Sequence, residues 1–258
     1  MLGACIGDII GSVFEHRRGW KSREFPLFSE GSALTDDTIC TVAVAECLLD
    51  DSDPAEALRR WCRRHPHPMG GYGLSFRQWL LDGEMGPYDS YGNGAAMRVS
   101  PAALLGATLG EALELARRVT RVTHDHPEGM RGAEAATMAI WLARRKEAPA
   151  AIRRRVQSAS GYDLSRSVDE IRPDYRYNES CQETVPQAIV CALEAGGFED
   201  AVRNAVSLGG DADTLAAIAG PIAEELYGIP EEIRQKGWLR LPKEMRDVLD
   251  RLYASAPD

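Results

Sequence analysis

The sequence predicts an all-α protein forming a single domain over residues 1–258, and three observations carry that prediction. Alanines and leucines number 34 and 24, against 25 valines and isoleucines together and 18 aromatics. That balance favours helices over sheet. Apolar residues recur at helical spacing along most of the chain, and no convincing alternating strand pattern appears. No Pro/Gly/Ser-rich linker or repeat with a period of about 20 to 50 residues divides it.

Taken in order, the first predicted helix covers 2–15. Its glycines at 3, 7 and 11 form one stripe which, with no membrane segment present, predicts close packing inside the bundle. Asp8 and Glu15 are seven apart and so share a face of that helix; each alone reads as a solvated residue. The second helix, 36–50, opens with Thr35-Asp36-Asp37-Thr38. A threonine N-cap followed by acids satisfies the free N–H groups and the helix dipole. Apolar spacing then predicts helices over 54–64, 111–121, 129–146, 183–196, 199–207, 213–227 and 243–254. The segment Gly209-Gly210-Asp211-Ala212-Asp213-Thr214 leads into 213–227, and a shorter helix begins at Ala95-Ala96-Met97-Arg98. The longest irregular stretches, 66–100 and 158–182, are of a length that in compact domains is usually functional. The site is therefore expected at loops and helix ends.

The 39 acidic residues against 30 basic give a net charge of -9, which argues against non-specific binding to nucleic acid or anionic membranes. The arginine groups at 59–60, 63–64, 144–145 and 153–155 read as solvated helix surface. Six cysteines without a CxxC or zinc-type spacing read as small core residues, and a reducing cytoplasm suits them. Met1-Leu2-Gly3-Ala4-Cys5 superficially resembles a lipoprotein cleavage box, but lacks the upstream basic and apolar regions. No run of about 18 apolar residues exists to span a membrane.

The chemistry concentrates in the two acidic helix starts. Two carboxylates at i and i+2 diverge within a helix, but in a Gly-rich turn before one they can converge. Together the starts supply four carboxylates and threonine oxygens with no His or Cys nearby in sequence. Such an all-oxygen set suits Mg²⁺ or Mn²⁺ rather than Zn²⁺. Without cations these carboxylates would repel and their pKa values would rise; a two-metal cluster resolves that conflict. Ser90-Tyr91-Gly92-Asn93-Gly94 leads into a helix and offers amides and close approach to an anion, or simply an Asn-Gly turn. Gly70-Gly71-Tyr72-Gly73 is a second close-approach loop. Tyr72 and Tyr91 are candidate stacking platforms, and His124 either bonds a ligand or caps a turn.

In this order, Gly7-Asp8-Ile9-Ile10-Gly11 with Glu15, Thr35-Asp36-Asp37-Thr38, Ser90-Tyr91-Gly92-Asn93-Gly94, Thr123-His124 and Gly209-Gly210-Asp211-Ala212-Asp213-Thr214 resemble the ADP-ribosylglycohydrolases over about residues 2–228. The resemblance implies an orthogonal helical bundle with a binuclear Mg²⁺ or Mn²⁺ cleft. It implies that Thr35, Asp36 and Asp37 hold one ion and that Asp211 and Thr214 hold the other, with Asp213 shared. Glu15 or Asp36 becomes the catalytic base, Glu15 being favoured because metal coordination would weaken Asp36. Ser90, Tyr91, Gly92, Asn93 and His124 become ADP-ribose contacts, joined by Gly71 and Gly73. The implied activity is cleavage of ADP-ribose from a modified protein, with arginine N-linkage favoured over serine O-linkage or a small ADP-ribose derivative. A non-catalytic ADP-ribose-binding or structural member, or a phosphohydrolase, are the readings from other classes. A working monomer is expected. The acceptor side is expected within 16–34 and 158–182, with Tyr162, Asp163, Tyr175, Tyr177 and Cys181 as candidates.

Overall fold

A computed structural model describes residues 1–17 and 19–257 and contains helices and loops, with no strand among the described residues. Among the described residues two isolated bridges occur, Thr35 with Met69 and Gly92 with Ser180. In chain order the helices are α1 (Leu2–Gly11), α2 (Asp36–Leu49), α3 (Pro54–Arg64), α4 (Leu74–Leu81) and α5 (Gly94–Met97). Then come α6 (Ser100–Leu105), α7 (Leu109–Thr120), α8 (Pro127–Arg144), α9 (Pro149–Ser160) and α10 (Val168–Ile171). The last are α11 (Cys181–Leu193), α12 (Phe198–Val206), α13 (Ala212–Tyr227), α14 (Glu231–Trp238) and α15 (Lys243–Ser255).

Every helix expected from apolar spacing forms, but the first is shorter than 2–15. Past Gly11 the chain runs in tight turns, Phe14 N–H to the Gly11 carbonyl and Arg17 N–H to that of Phe14. The Ser12 hydroxyl bonds the Ile9 carbonyl and accepts the Ala33 N–H, giving the chain an alternative to further helix. Asp8 and Glu15 therefore do not share a helix face, and Asp8 is wholly buried rather than solvated. The stretches 66–100 and 158–182 are less irregular than expected, since they hold α4, α5 and α10. These helices have eight, four and four residues, too short for a periodic signal. Helix α9 escaped detection because it buries only Ile152 and Val156. Several arginines expected on solvated surface instead tie α3 to carbonyls of the last turn of α4 and the loop after it, Arg63 to Leu80 and Arg59 to Trp79 and Met85. All six cysteines are buried and free.

Helix α13 sits at the centre, packed by α1, α8, α11 and α12. The glycine stripe of α1 makes this possible. A Cβ on Gly3 or Gly11 would come 2.5 Å from the carbonyl oxygens of Gly220 or Ala212, and one on Gly7 would collide with that of Ala216. With both backbones in contact, neither helix can yield. Gly7→Ala is expected to cost about 3 kcal/mol through overpacking, a fall in Tm of roughly 6–12 °C at this chain length, read by thermal melts. A Tm within 2 °C of the parent would contradict it. This same crossing sets the first turn of α13 beside the start of α2.

Candidate metal-binding cleft

Asp8, on α1, organises the start of α2 from beneath. Thr35 donates its hydroxyl to Asp8 Oδ1 at 2.8 Å and its N–H to Oδ2 at 3.0 Å. Thr38 donates its N–H to Oδ2 at 3.1 Å and its hydroxyl to the same oxygen. Burial outweighs even these bonds and pushes the Asp8 carboxyl up to about 6. The Thr35 hydroxyl also accepts the Asp37 N–H at 3.2 Å, so Thr35 is the cap of α2 and lies a layer below the open cleft. Asp8→Asn replaces an oxygen acceptor by an NH₂ facing donors. It is expected to cost about 3 kcal/mol, at 1–3 kcal/mol for each orphaned group, and to weaken Mn²⁺ binding roughly 10- to 100-fold. Thermal melts and Mn²⁺ electron paramagnetic resonance measure the two effects; unchanged Mn²⁺ affinity would show that Asp8 does not set the α2 start.

The opposite wall is the start of α13. Gly209 has φ +69°, and a Cβ there would lie 2.5 Å from the Trp20 carbonyl oxygen. Glycine is thus required for both conformation and space. The turn presents Asp211 at the N-cap and Asp213 and Thr214 in the first turn. Asn93 Nδ2 donates to Asp211 Oδ2 at 2.7 Å, and Thr214 N–H donates to Asp213 Oδ1 at 3.0 Å. Glu15 arrives from the turn after α1 and rests on the backbone of Gly70 (φ +77°), where a Cβ would stand 2.7 Å from Oε2. Oxygens of Glu15, Asp211 and Asp213 lie within 4.8 Å of one another.

Asp36, Asp37, Asp211, Asp213, Thr214 and Glu15 all line one cleft of about 600 Å³. Burial, and then repulsion from neighbouring anionic groups, lifts Asp36, Asp37 and Asp213 well above the usual carboxylate range. Asp211 is raised by burial against opposing hydrogen bonds, and Glu15 by burial and by Asp211. Asp37 Oδ2 and Glu15 Oε2 are buried without a hydrogen-bond partner. Such a set could hold a divalent cation, which would supply a partner for these oxygens and a compensating charge.

Gly71, Gly73, Ser90, Gly92, Asn93, Gly94 and His124 line the same cleft. The loop before α11 is stitched to it, with Asn93 N–H donating to the Glu179 carbonyl at 2.6 Å and Cys181 N–H to that of Tyr91 at 2.9 Å. Tyr91 does not line this cleft. It is half exposed, packs against His126 with ring centroids 5.2 Å apart, and faces an adjoining groove with Tyr177 and Glu179. Of the acceptor-side candidates only Tyr177 reaches the cleft. Tyr175 is buried with its hydroxyl donating to the Glu183 carbonyl, and the Cys181 thiol faces the Gly92 carbonyl. Tyr162 and Asp163 belong to a separate surface depression. From 16–34, whose residue 18 lies outside the described residues, Pro26, Leu27 and Phe28 line another groove. The rest of the cleft lining includes Tyr72, Leu74, Ser75, Phe76, Tyr88 and Glu179. Sequence reading missed Arg98 and Glu179, the role of Asp8, and the contact between Gly70 and Glu15. The Gly70-Gly71 pair and the acid in Gly7-Asp8 were the available signals; Arg98 and Glu179 had none.

The model of the ADP-ribosylglycohydrolase family matches residues 1–257. The chain is 28% identical to the ADP-ribosyl-[dinitrogen reductase] glycohydrolase of Rhodospirillum rubrum, covering 99% of this chain and 94% of that protein. It is 28% identical to the ADP-ribosylarginine hydrolase Tri1 of Pseudomonas putida (97% and 77%) and 24% identical to the ADP-ribosylhydrolase ARH3 of Danio rerio (89% and 82%). A solved structure described as an ADP-ribosylglycohydrolase-related protein complex superposes with a TM-score of 0.70 at 25% identity, over 99% of both chains.

Proposed function

The chain belongs to the ADP-ribosylglycohydrolase family, and from that premise we propose that it hydrolyses the N-glycosidic bond between ADP-ribose and an arginine of a modified protein. The observation that carries this reading is one cleft lined both by a buried oxygen-rich acidic cluster and by glycine-rich loops bearing Ser90, Asn93 and His124. The name of the Pseudomonas relative, an ADP-ribosylarginine hydrolase, supports the arginine linkage. So does Glu179, a further carboxylate on the cleft lining that suits a cationic guanidinium.

The donor set fits Mg²⁺ or Mn²⁺, on the strength of its orphaned oxygens and all-oxygen chemistry. Asp36 and Asp37, with the remaining lone pair of the Thr35 hydroxyl beneath them, would hold one ion and Asp211 and Thr214 the other, with Asp213 shared; when bound, the ions supply a Lewis-acid grip on the ribose hydroxyls beside the scissile bond. Glu15 takes the role of general base, accepting a proton from the attacking water at Oε2, which no hydrogen bond occupies. A carboxyl raised by burial is a stronger base than an exposed one. Asp36 is the second candidate for that proton. Nearby carboxylates also stabilise the positive charge that develops as the bond to the anomeric carbon breaks. Gly71, Gly73, Ser90, Gly92 and Asn93 admit the diphosphate close to the backbone, and His124 donates to it.

Purified protein incubated with arginine-linked and serine-linked ADP-ribosylated proteins, with Mg²⁺ or with EDTA, tests the reading. Release of ADP-ribose from the arginine linkage, dependent on the metal, is expected. Release from serine alone would transfer the assignment to O-linked acceptors, and binding without release from any linkage would make this a non-catalytic member.

A further inference from the structure

Arg98, the residue that ends α5, is 1% exposed yet forms part of the cleft wall. Its Nη2 donates to the Thr123 hydroxyl at 2.5 Å and approaches His124 Nδ1 at 3.3 Å, while its Nε has no partner. The Cys40 thiol also lies against it. Among the described residues no carboxylate is its hydrogen-bond partner. A guanidinium can only donate hydrogen bonds, so the ring nitrogen it meets must be an acceptor. The Thr123 hydroxyl, 2.7 Å from the same Nδ1, accepts from Arg98 and is free to donate to the ring. Nδ1 is therefore bare, and the ring proton sits on Nε2.

Nε2 is the edge that faces the ligand wall. A Cβ on Gly94 would stand 3.2 Å from it and one on Gly92 3.6 Å. Those glycines keep it uncovered, and among the described residues no side chain bonds it. We propose that Arg98 is a positioning residue that locks His124 in the neutral Nε2–H tautomer, presenting a fixed donor to an anionic oxygen of the bound ligand. Identification of that oxygen with the ADP-ribose diphosphate rests on the function proposed above; the locked tautomer does not.

The charged and titratable groups around the ring act in the same direction or are remote from it. Burial, and then the Arg98 guanidinium, holds His124 well below the usual histidine range. Tyr88 lies with its ring centroid 6.2 Å from that of His124, and burial keeps its phenol neutral. The Cys181 thiol, directed at the Gly92 carbonyl, is likewise held neutral by burial. Asp125 is engaged by the Asp89 N–H, and His126 caps α8 and packs on Tyr91. An anionic ligand would ordinarily draw a proton onto a histidine. Here the guanidinium opposes that uptake, and binding proceeds without it.

Long-range ¹⁵N–¹H correlation spectra of the full chain with labelled histidine read the ring directly. In the parent protein, His124 is expected to carry its proton on Nε2; a proton on Nδ1 overturns the proposal whatever the variants do. In Arg98→Met, His124 should average between tautomers and titrate at higher pH than in the parent. Its ADP-ribose affinity relative to the parent should fall about tenfold between pH 6 and pH 8, measured by calorimetry. Arg98→Lys, which keeps the charge but loses the planar fork, should restore the low titration but not the single tautomer. A folded Arg98→Met protein with one Nε2–H tautomer and parent-like pH dependence also overturns it. Failure of the parent to bind ADP-ribose, with His124 still locked, counts against the ligand assignment alone.

Discussion

Alanine at Asp37 or Asp211 is expected to abolish turnover while leaving the helices intact. The loss should exceed the roughly 100-fold that follows removal of a group merely orienting a metal ligand. The two variants should then separate in stability. Asp37 carries a buried oxygen without a partner in a cluster of mutually repelling carboxylates, so in EDTA its removal should raise Tm. Asp211 accepts a hydrogen bond from Asn93. Its removal relieves repulsion but strips an acceptor from a buried amide, so its Tm should change little. ADP-ribose release, Mn²⁺ resonance and melts in EDTA measure the three quantities. Parent-like activity in either variant would remove that residue from the metal assignment, and a large fall in the EDTA Tm of Asp37→Ala would contradict the repulsion argument.

The second large effect is the coupling of metal, pH and stability. A carboxyl whose pKa is raised by folding binds its proton more tightly in the folded state. Stability therefore falls as pH rises from the unfolded value towards the folded one. For Asp8, raised from 3.8 to about 6, this amounts to about 3 kcal/mol lost between roughly pH 4 and pH 6. Asp36, Asp37 and Asp213, raised well above their ordinary values, extend the decline to higher pH. Melts in EDTA should thus show Tm falling steadily from pH 5 to pH 8. Mg²⁺ or Mn²⁺ at about 1,000 times its Kd should return about 4 kcal/mol, or roughly 8–16 °C. With the metal concentration fixed at the value that gives this ratio at pH 8, the increment should be smaller at pH 5, where protons compete for the same oxygens and raise Kd. An equal increment at both pH values, or none, would mean that the acidic cluster is not the metal site.

Much of this was open to sequence reading because its causes are local. Apolar spacing in α2, α8, α11 and α13 exceeds one turn many times over, so those helices declare themselves. Thr35-Asp36-Asp37 and Asp211-Ala212-Asp213 mark helix starts by capping chemistry that needs no tertiary partner. Helices α4, α5 and α10 lack that length. Glu15 was recognised, but the helix assigned to it ends at Gly11, and its place comes from turns and from the bare backbone of Gly70.

The helical class, the acidic residues at the starts of α2 and α13 and the glycines that let α1 and α13 touch were all set by the sequence alone. Those properties follow from side-chain type and spacing within a single segment. Only the tertiary structure decided that Asp8 is a buried anchor, that Arg98 faces His124, and that Tyr177 and Glu179 rather than Tyr162 or Asp163 reach the cleft. Each of those depends on which distant segment covers a given side chain. That is set by helix packing, and no spacing along the chain encodes it.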